Sequence, residues 1–233
     1  MKKLQSLTIF FPAFNDEKTL PQLIKNTCEI ASKFAGSLEV IVINDGSTDN
    51  TKNTLEKLKK RYKNLRVVTH ERNLGYGAAL QSGFKNARKE WVFYTDGDGQ
   101  YDPRELKLLV DALTEYTDVV NGYKLTRSDP AIRKILGWLY SWFLHLLYDL
   151  PIRDVDCDFR LIRRSFLKKI HLTSTSGTIC LELVAKLARA NARFKEVGIH
   201  HYKRVYGEST FFTIGNLGKT LFDSVHFYLT YKR

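Results

Sequence analysis

The chain is poor in cysteine. Its three cysteines, Cys28, Cys157 and Cys180, are odd in number and lack metal-ligand spacing, so neither a disulfide framework nor a cysteine-built metal centre is expected. They read as small core residues of a reducing compartment. Long apolar runs are also missing. No stretch of about 18 uninterrupted apolar residues occurs, so no transmembrane helix is expected. The apolar run behind Met1-Lys-Lys is too short for a secretory signal and reads better as a strand. No long run of lysine and arginine offers a disordered nucleic-acid arm, and there is no internal repeat or low-complexity linker. What is present is a 43% apolar fraction in 233 residues, ample for the core of one large domain. A net charge of +12 points to an anionic partner: nucleic acid, a phospholipid surface or a phosphorylated substrate. The chain is expected in the cytosol or on a membrane.

Along the chain, short apolar runs alternate with helical patterns. Strands are expected at residues 7–11, 38–43, 65–69, 91–95 and 118–121, with helices at 20–34, 51–62, 78–87 and 103–114. Asn15 or Asp16 is expected to cap the first helix, with Pro21 in its opening turns. Such alternation gives a parallel sheet covered by helices on both faces, which binds ligands beyond the carboxyl ends of its strands. Each of those ends is polar here: Asn15 and Asp16, Asn44 and Asp45, Glu71 and Arg72, Asp96 and Asp98. Core packing does not account for four polar strand ends at one edge. In Asp96-Gly97-Asp98 two carboxylates can face one ion, and glycines at 97 and 99 let the backbone turn. Oxygen ligands of this kind suit Mg²⁺ or Mn²⁺, and the implied ligand is a nucleoside diphosphate.

Past about residue 123 the pattern changes. Lys124, Arg127, Arg133 and Lys134 lead into ILGWLYSWFLHLLYDL, residues 135–150, apolar and aromatic on most sides. At about 1.5 Å per residue it is short for a bilayer crossing, and it suits an interfacial helix, a helix packed on the sheet or a dimer contact. A short strand within residues 154–164, a helix at 177–190 and a strand at 192–201 follow. Residues 211–233 carry apolar groups near helical spacing and read as an amphipathic helix, packed on the domain or lying on a bilayer.

Four motifs, FPAFNDEKTL, VINDGSTDNT, ERNLGYGAAL and TDGDGQYDP, in this order and spacing, resemble the inverting family 2 glycosyltransferases of GT-A fold. DVVNGYK, DFRLIRR and RVYGEST narrow the resemblance to the polyprenyl-phosphate sugar transferases, of the dolichol-phosphate mannose synthase kind. It covers roughly residues 5–210. The fold it implies is an α/β, Rossmann-like, mostly parallel sheet with helices on both faces, plus C-terminal interfacial and amphipathic helices. Residues 1–210 would form the transferase domain, with a nucleotide-sugar half at 1–122 and an acceptor half at 123–210 containing an interfacial helix at 131–150. Residues 211–233 would form the C-terminal helix.

The resemblance also implies roles. Pro12, Ala13, Phe14 and Asp16 would line the base and ribose pocket, with Asn44 and Asp45 beside it. Asp96 and Asp98 would hold Mg²⁺ or Mn²⁺ on the diphosphate, with Gln100 as a further ligand or orienting group. Lys124, Arg133, Arg160 and Arg204 would gather the anionic substrates, and Ser209 belongs to the loop that follows Arg204. Apart from the resemblance, Glu182 at the start of a helix reads as a capping or donor-positioning group. Lys124 stands where the family carries Arg, Gly137 where it carries Ser, and Asp158 where a small residue is usual. The implied reaction is inverting transfer of a mannose- or glucose-type hexose from GDP-mannose or a UDP-sugar to dolichyl or undecaprenyl phosphate. A phosphomonoester is already an anion and needs cations rather than a base. The implied place is the cytoplasmic face of a membrane, alone, as a homodimer or with a membrane-protein partner, and without nucleic acid. Two other readings stay open: transfer to a saccharide hydroxyl with Asp156, Asp158 or Glu182 as base, and a non-catalytic nucleotide-sugar or lipid-phosphate binding subunit.

Overall fold

A computed structural model describes residues 4–127, 131–204, 206 and 214–231. Its centre is a strand buried on both faces. In β1 (Leu4–Ala13) every residue from Leu7 onward is buried. Leu7, Ile9, Phe11 and Ala13 enter one core and Phe10 the other, so the apolar run is nearly continuous, as helices on both faces require. β2 (Ala35–Asn44) and β4 (Trp91–Thr95) divide their side chains in the same way.

β2 and β4 flank β1 in parallel, and β3 (Leu65–Thr69) pairs with β2 in parallel. The remaining strands are β5 (Val119–Arg127), β6 (Phe159–Arg163) and β7 (Phe194–His201). The seven-stranded order is β3-β2-β1-β4-β6-β5-β7. β6 runs antiparallel to both β4 and β5, while β5 and β7 are parallel. The sheet is therefore mostly parallel. The chain leaves β1 in one direction for β2 and β3, then returns to its other side for β4. That reversal opens a crevice at the carboxyl ends of β1, β2 and β4.

α1 (Leu20–Ala31), α2 (Thr51–Arg61) and α4 (Leu106–Ala112) contribute to the first core. α3 (Tyr76–Asn86), α5 (Ala131–Leu147), α6 (Arg164–Leu167), α7 (Ile179–Arg189) and α8 (Ile214–Tyr231) contribute to the second. Some expected boundaries move. α1 begins at Leu20 without a side-chain cap, because Asp16 turns back onto the Phe14 N–H instead. The single helix expected at 103–114 is a 3-10 turn, Pro103–Glu105, capped by Asp102 and continued by α4. β5 runs six residues beyond Asn121, where β7 alone supports it. α8 packs against α5 through Tyr140 Oη and Ser224 Oγ at 2.9 Å, and against Tyr148, just past the end of α5, which stacks on Phe227. Among the described residues no helix is long and apolar enough to cross a membrane. Cys157 and Cys180 are buried free thiols, and Cys28 is half-buried.

Candidate active site at the carboxyl ends of the strands

Two loops meet above β1 and β2. Asn15 adopts a positive φ of 59°, a conformation Asn tolerates, and its Oδ1 accepts the Thr48 N–H at 2.8 Å. The Asn15 N–H donates to Ser47 Oγ, and the Asp16 N–H to Thr51 Oγ1. A cavity of about 230 Å³ lies here, lined by Asn15, Asp16, Glu17, Lys18, Thr19, Asp49 and Tyr206. Asp16 faces it with a carboxyl whose pKa is pushed up from 3.8 to about 6. Burial is the main cause, opposed by the Phe14 N–H and reinforced by Asp98. Phe14 is exposed beside the cavity. Pro12 and Ala13 are buried beneath the Gly97 turn, where a Cβ on Gly97 would stand 2.7 Å from the Pro12 carbonyl oxygen.

Asn44 and Asp45 do local work first. Asn44 Oδ1 accepts the Ser47 N–H at 3.1 Å. The Asp45 carboxylate takes the Leu74 and Gly75 N–H groups, each at 2.9 Å, and lies 2.6 Å from His70 Nδ1. His70 Nε2 in turn meets Ser82 Oγ of α3 at 2.8 Å. Asp45 thus holds the loop that opens α3.

At the end of β4 the Asp96 and Asp98 carboxylates stand on either side of Gly97. Asp98 Oδ1 accepts the Gln100 N–H at 2.9 Å, and its Oδ2 pairs with Arg204. Asp96 Oδ1 accepts the Tyr76 hydroxyl at 2.9 Å. The Asp96 carboxyl is held well above the usual carboxylate range, by burial first and then by the charges of Asp158 and Asp98. Asp158 is raised too, by burial, despite the nearby Arg160 charge, and it accepts Tyr94 Oη and Cys180 Sγ. Crowded acids of this kind suit a divalent cation, whose charge would offset their repulsion. Among the described residues no group of three or more His, Cys, Asp or Glu side chains is arranged to hold a metal. Two carboxylates completed by phosphate oxygens is the usual arrangement for Mg²⁺. Gln100 Nε2 donates to the Tyr202 carbonyl at 3.0 Å, which anchors the side chain through its amide nitrogen.

Two expected substrate groups belong to the interior. Arg160 is fully buried, and its guanidinium donates to Asn121 Oδ1, to Tyr94 Oη at 2.8 Å and to the Val155 carbonyl at 3.1 Å. It joins β4, β5 and β6 and is not presented to an acceptor. Glu182 is also fully buried, accepting the N–H groups of Thr173 and Ser174 and pairing with Lys186 at 2.6 Å. Lys124 extends from β5, with its Nζ on the Asp156 carbonyl at 2.6 Å and 3.9 Å from Asp154 Oδ1. The side chain of Arg133, and Ser209 as a whole, lie outside the described residues. Tyr76 and His70 are site-shaping residues that sequence reasoning missed. Tyr76 stood inside a recognised motif, yet nothing in the motif shows that its hydroxyl reaches Asp96.

A family model described as Glycosyl transferase family 2 matches residues 8–171, well over half of the chain. A dodecaprenyl-phosphate galacturonate synthase of Rhizobium johnstonii is 28% identical over 231 residues, covering 97% of this chain and 68% of the relative. An undecaprenyl-phosphate 4-deoxy-4-formamido-L-arabinose transferase of Pseudomonas fluorescens is 28% identical, covering 89% of this chain and 60% of the relative. The chain thus spans about two thirds of the length of these curated relatives. Among solved structures, glucosyl-3-phosphoglycerate synthase from Mycobacterium tuberculosis, in complex with Mn²⁺, UDP and phosphoglyceric acid, superposes with a TM-score of 0.73 at 16% identity. That match covers 96% of this chain and 78% of the other, and it shows a shared fold, the GT-A arrangement.

Proposed function

The chain belongs to glycosyl transferase family 2, and from that premise we propose that it transfers a sugar from a nucleoside diphosphate to a polyprenyl phosphate at a membrane surface. The observation that carries the acceptor class is that two of the three candidate bases are withdrawn into the interior, with Asp156 alone exposed. Glu182 is buried and committed to the 173–174 backbone, and Asp158 is buried among Tyr94, Cys180 and Arg160. A hydroxyl acceptor needs a base within reach of the attacking oxygen, whereas a phosphomonoester needs cations. Arg204, paired with Asp98, and Lys124, which stands on the Asp156 carbonyl and 3.9 Å from Asp154, would supply them. The names of the relatives, both polyprenyl-phosphate sugar transferases, support the same class.

In this reading the cavity beside Asp16 and Phe14 receives the nucleoside, and Asp96 and Asp98 hold Mg²⁺ or Mn²⁺ on the diphosphate. When bound, such an ion would offset charge on the departing nucleoside diphosphate. Arg204 adds to that charge balance, Lys124 steadies the attacking phosphate, and the anomeric carbon inverts in one displacement. The donor is a UDP-sugar or GDP-mannose carrying a hexose-type sugar. α5 and α8 rest on the cytoplasmic leaflet through Leu139, Trp142 and Leu146 of α5 and Leu221, Phe222, Val225 and Leu229 of α8, all exposed.

The test is a radiolabel assay with purified protein, Mn²⁺ and a short polyprenyl phosphate in vesicles. UDP-glucose, UDP-galacturonic acid and GDP-mannose run in parallel. Label is expected in the organic phase with one donor. Label on a soluble saccharide acceptor instead would move the reading to hydroxyl transfer, and no donor binding at all would overturn it.

A further inference from the structure

The segment of residues 173–178, Thr-Ser-Thr-Ser-Gly-Thr, joins three elements that the proposed reaction treats separately. On one side it presses on the start of α3. The Thr175 carbonyl accepts the Gly77 N–H at 3.0 Å, and the Ser174 carbonyl accepts Gln81 Nε2 at 2.8 Å. The approach is so close that a Cβ on Gly77 would stand 2.4 Å from Ser174 O. Between Gly75 and Gly77 sits Tyr76, whose hydroxyl holds Asp96. From below, Glu182 fixes the Thr173 and Ser174 N–H groups. On the outer side Ser176 Oγ donates to Asp223 Oδ2 of α8 at 2.8 Å. Asp223 is a polar, half-buried residue in a helix whose neighbouring Leu221, Phe222 and Val225 are exposed.

We propose that Asp223 and Ser176 are positioning residues for the donor side of the site, tying the seat of α8 to the loop that carries Tyr76 onto Asp96. This rests on the reading of Asp96 as a donor-side carboxylate. Its physical content is a short chain of rigid contacts. α8 holds Ser176, the 173–178 segment holds Gly77, and Gly77 fixes the backbone on which Tyr76 is mounted. A helix that meets lipid on its outer face and the 173–178 segment on its inner face would, through that segment, order the loop that carries Tyr76 when it is seated. Donor binding would then be strongest where the lipid acceptor is available.

Three proteins test this: wild type, Asp223→Ala and Asp223→Asn. The asparagine keeps an amide oxygen able to accept the Ser176 hydroxyl, and the alanine does not. Hydrogen exchange in the peptide covering residues 73–81 is expected to quicken in Asp223→Ala and to return to wild-type rates in Asp223→Asn. Calorimetric affinity for UDP with Mn²⁺ is expected to fall roughly threefold to tenfold in Asp223→Ala, the range that loss of one hydrogen bond carries, and to recover in Asp223→Asn. If the alanine variant matches wild type, or both variants behave alike, the proposal is overturned. Should Asp223→Ala fail to fold, Ser176→Ala removes the same bond by a smaller deletion and carries the same expectation. Wild-type protein that binds UDP and Mn²⁺ yet moves no label to polyprenyl phosphate would sink the acceptor reading only. Should it bind no UDP, the exchange comparison alone decides the proposal.

Discussion

Asp98 presents one oxygen to the Gln100 N–H and the other to Arg204, so it belongs to a turn and to an ion pair at once. Neither partner lies in the sheet core, and removing the carboxylate should leave packing alone. Asp98→Ala is expected to lower transfer by at least about a hundredfold while the thermal melt stays near wild type. Retained metal-dependent transfer would contradict the assignment. Asp16 offers a second residue-scale expectation, through pH. Its carboxyl holds a proton more tightly in the fold than in the unfolded chain, with a pKa raised from 3.8 to about 6. The folded state therefore binds more protons across that window and loses stability as pH rises through it, the loss being complete above the folded value. Asp16→Asn, which still accepts the Phe14 N–H, is expected to flatten this part of the curve. Urea titrations between pH 4 and 7 would show it, and an unchanged slope would refute it.

The elements that hold the site depend on close approach and on buried charge. Gly77 lies in the first turn of α3 where the 173–178 segment crosses, and a methyl group there meets backbone rather than a movable side chain. Gly77→Ala is expected to cost about 1–3 kcal/mol, read from denaturant midpoints, and to weaken nucleotide binding with it. Arg160 is the larger case. Removing its side chain leaves Asn121, Tyr94 and the Val155 carbonyl without their shared donor, so Arg160→Ala is expected to cost about 3–5 kcal/mol. An acceptor-binding arginine would instead have left the melt unchanged and raised only the acceptor KM. These two positions also mark where reading the sequence stops. The strand ends were legible, since apolar runs halting at Asn44, Asp45, Asp96 and Asp98 have no packing explanation. The antiparallel course of β6 was not, because five residues of FRLIR carry no direction. Nor did DFRLIRR reveal that Arg160 turns inward, for charge in a sequence says nothing about which carbonyls will surround it. In the sequence Glu182 is a helix-start residue, and its actual partners, nine and eight residues upstream, appear only when the chain folds back.

At the scale of the whole molecule, apolar surface and positive charge have to be considered together. Two adjacent helices display Leu139, Trp142, Leu146, Leu221, Phe222, Val225 and Leu229 to solvent, while Tyr140, Tyr148, Ser224 and Phe227 hold the helices to each other. The outer groups are therefore spare as far as the fold is concerned, and their exposure has a cost in water that a bilayer would remove. The net charge of +12 favours an anionic leaflet over a neutral one. Replacing Trp142 and Phe222 together by alanine is expected to reduce partitioning onto anionic vesicles by roughly tenfold or more, with no loss in melting temperature because neither ring is part of the core. Raised salt should weaken wild-type binding further, since the charge contribution is screened within about 10 Å at 0.1 M while the apolar one is not. A double variant that sediments with vesicles as wild type does would assign this face to a protein partner. The same variant should keep transfer to a detergent-dispersed acceptor, because it leaves the Asp223 contact with Ser176 and the carboxylates at the strand ends in place.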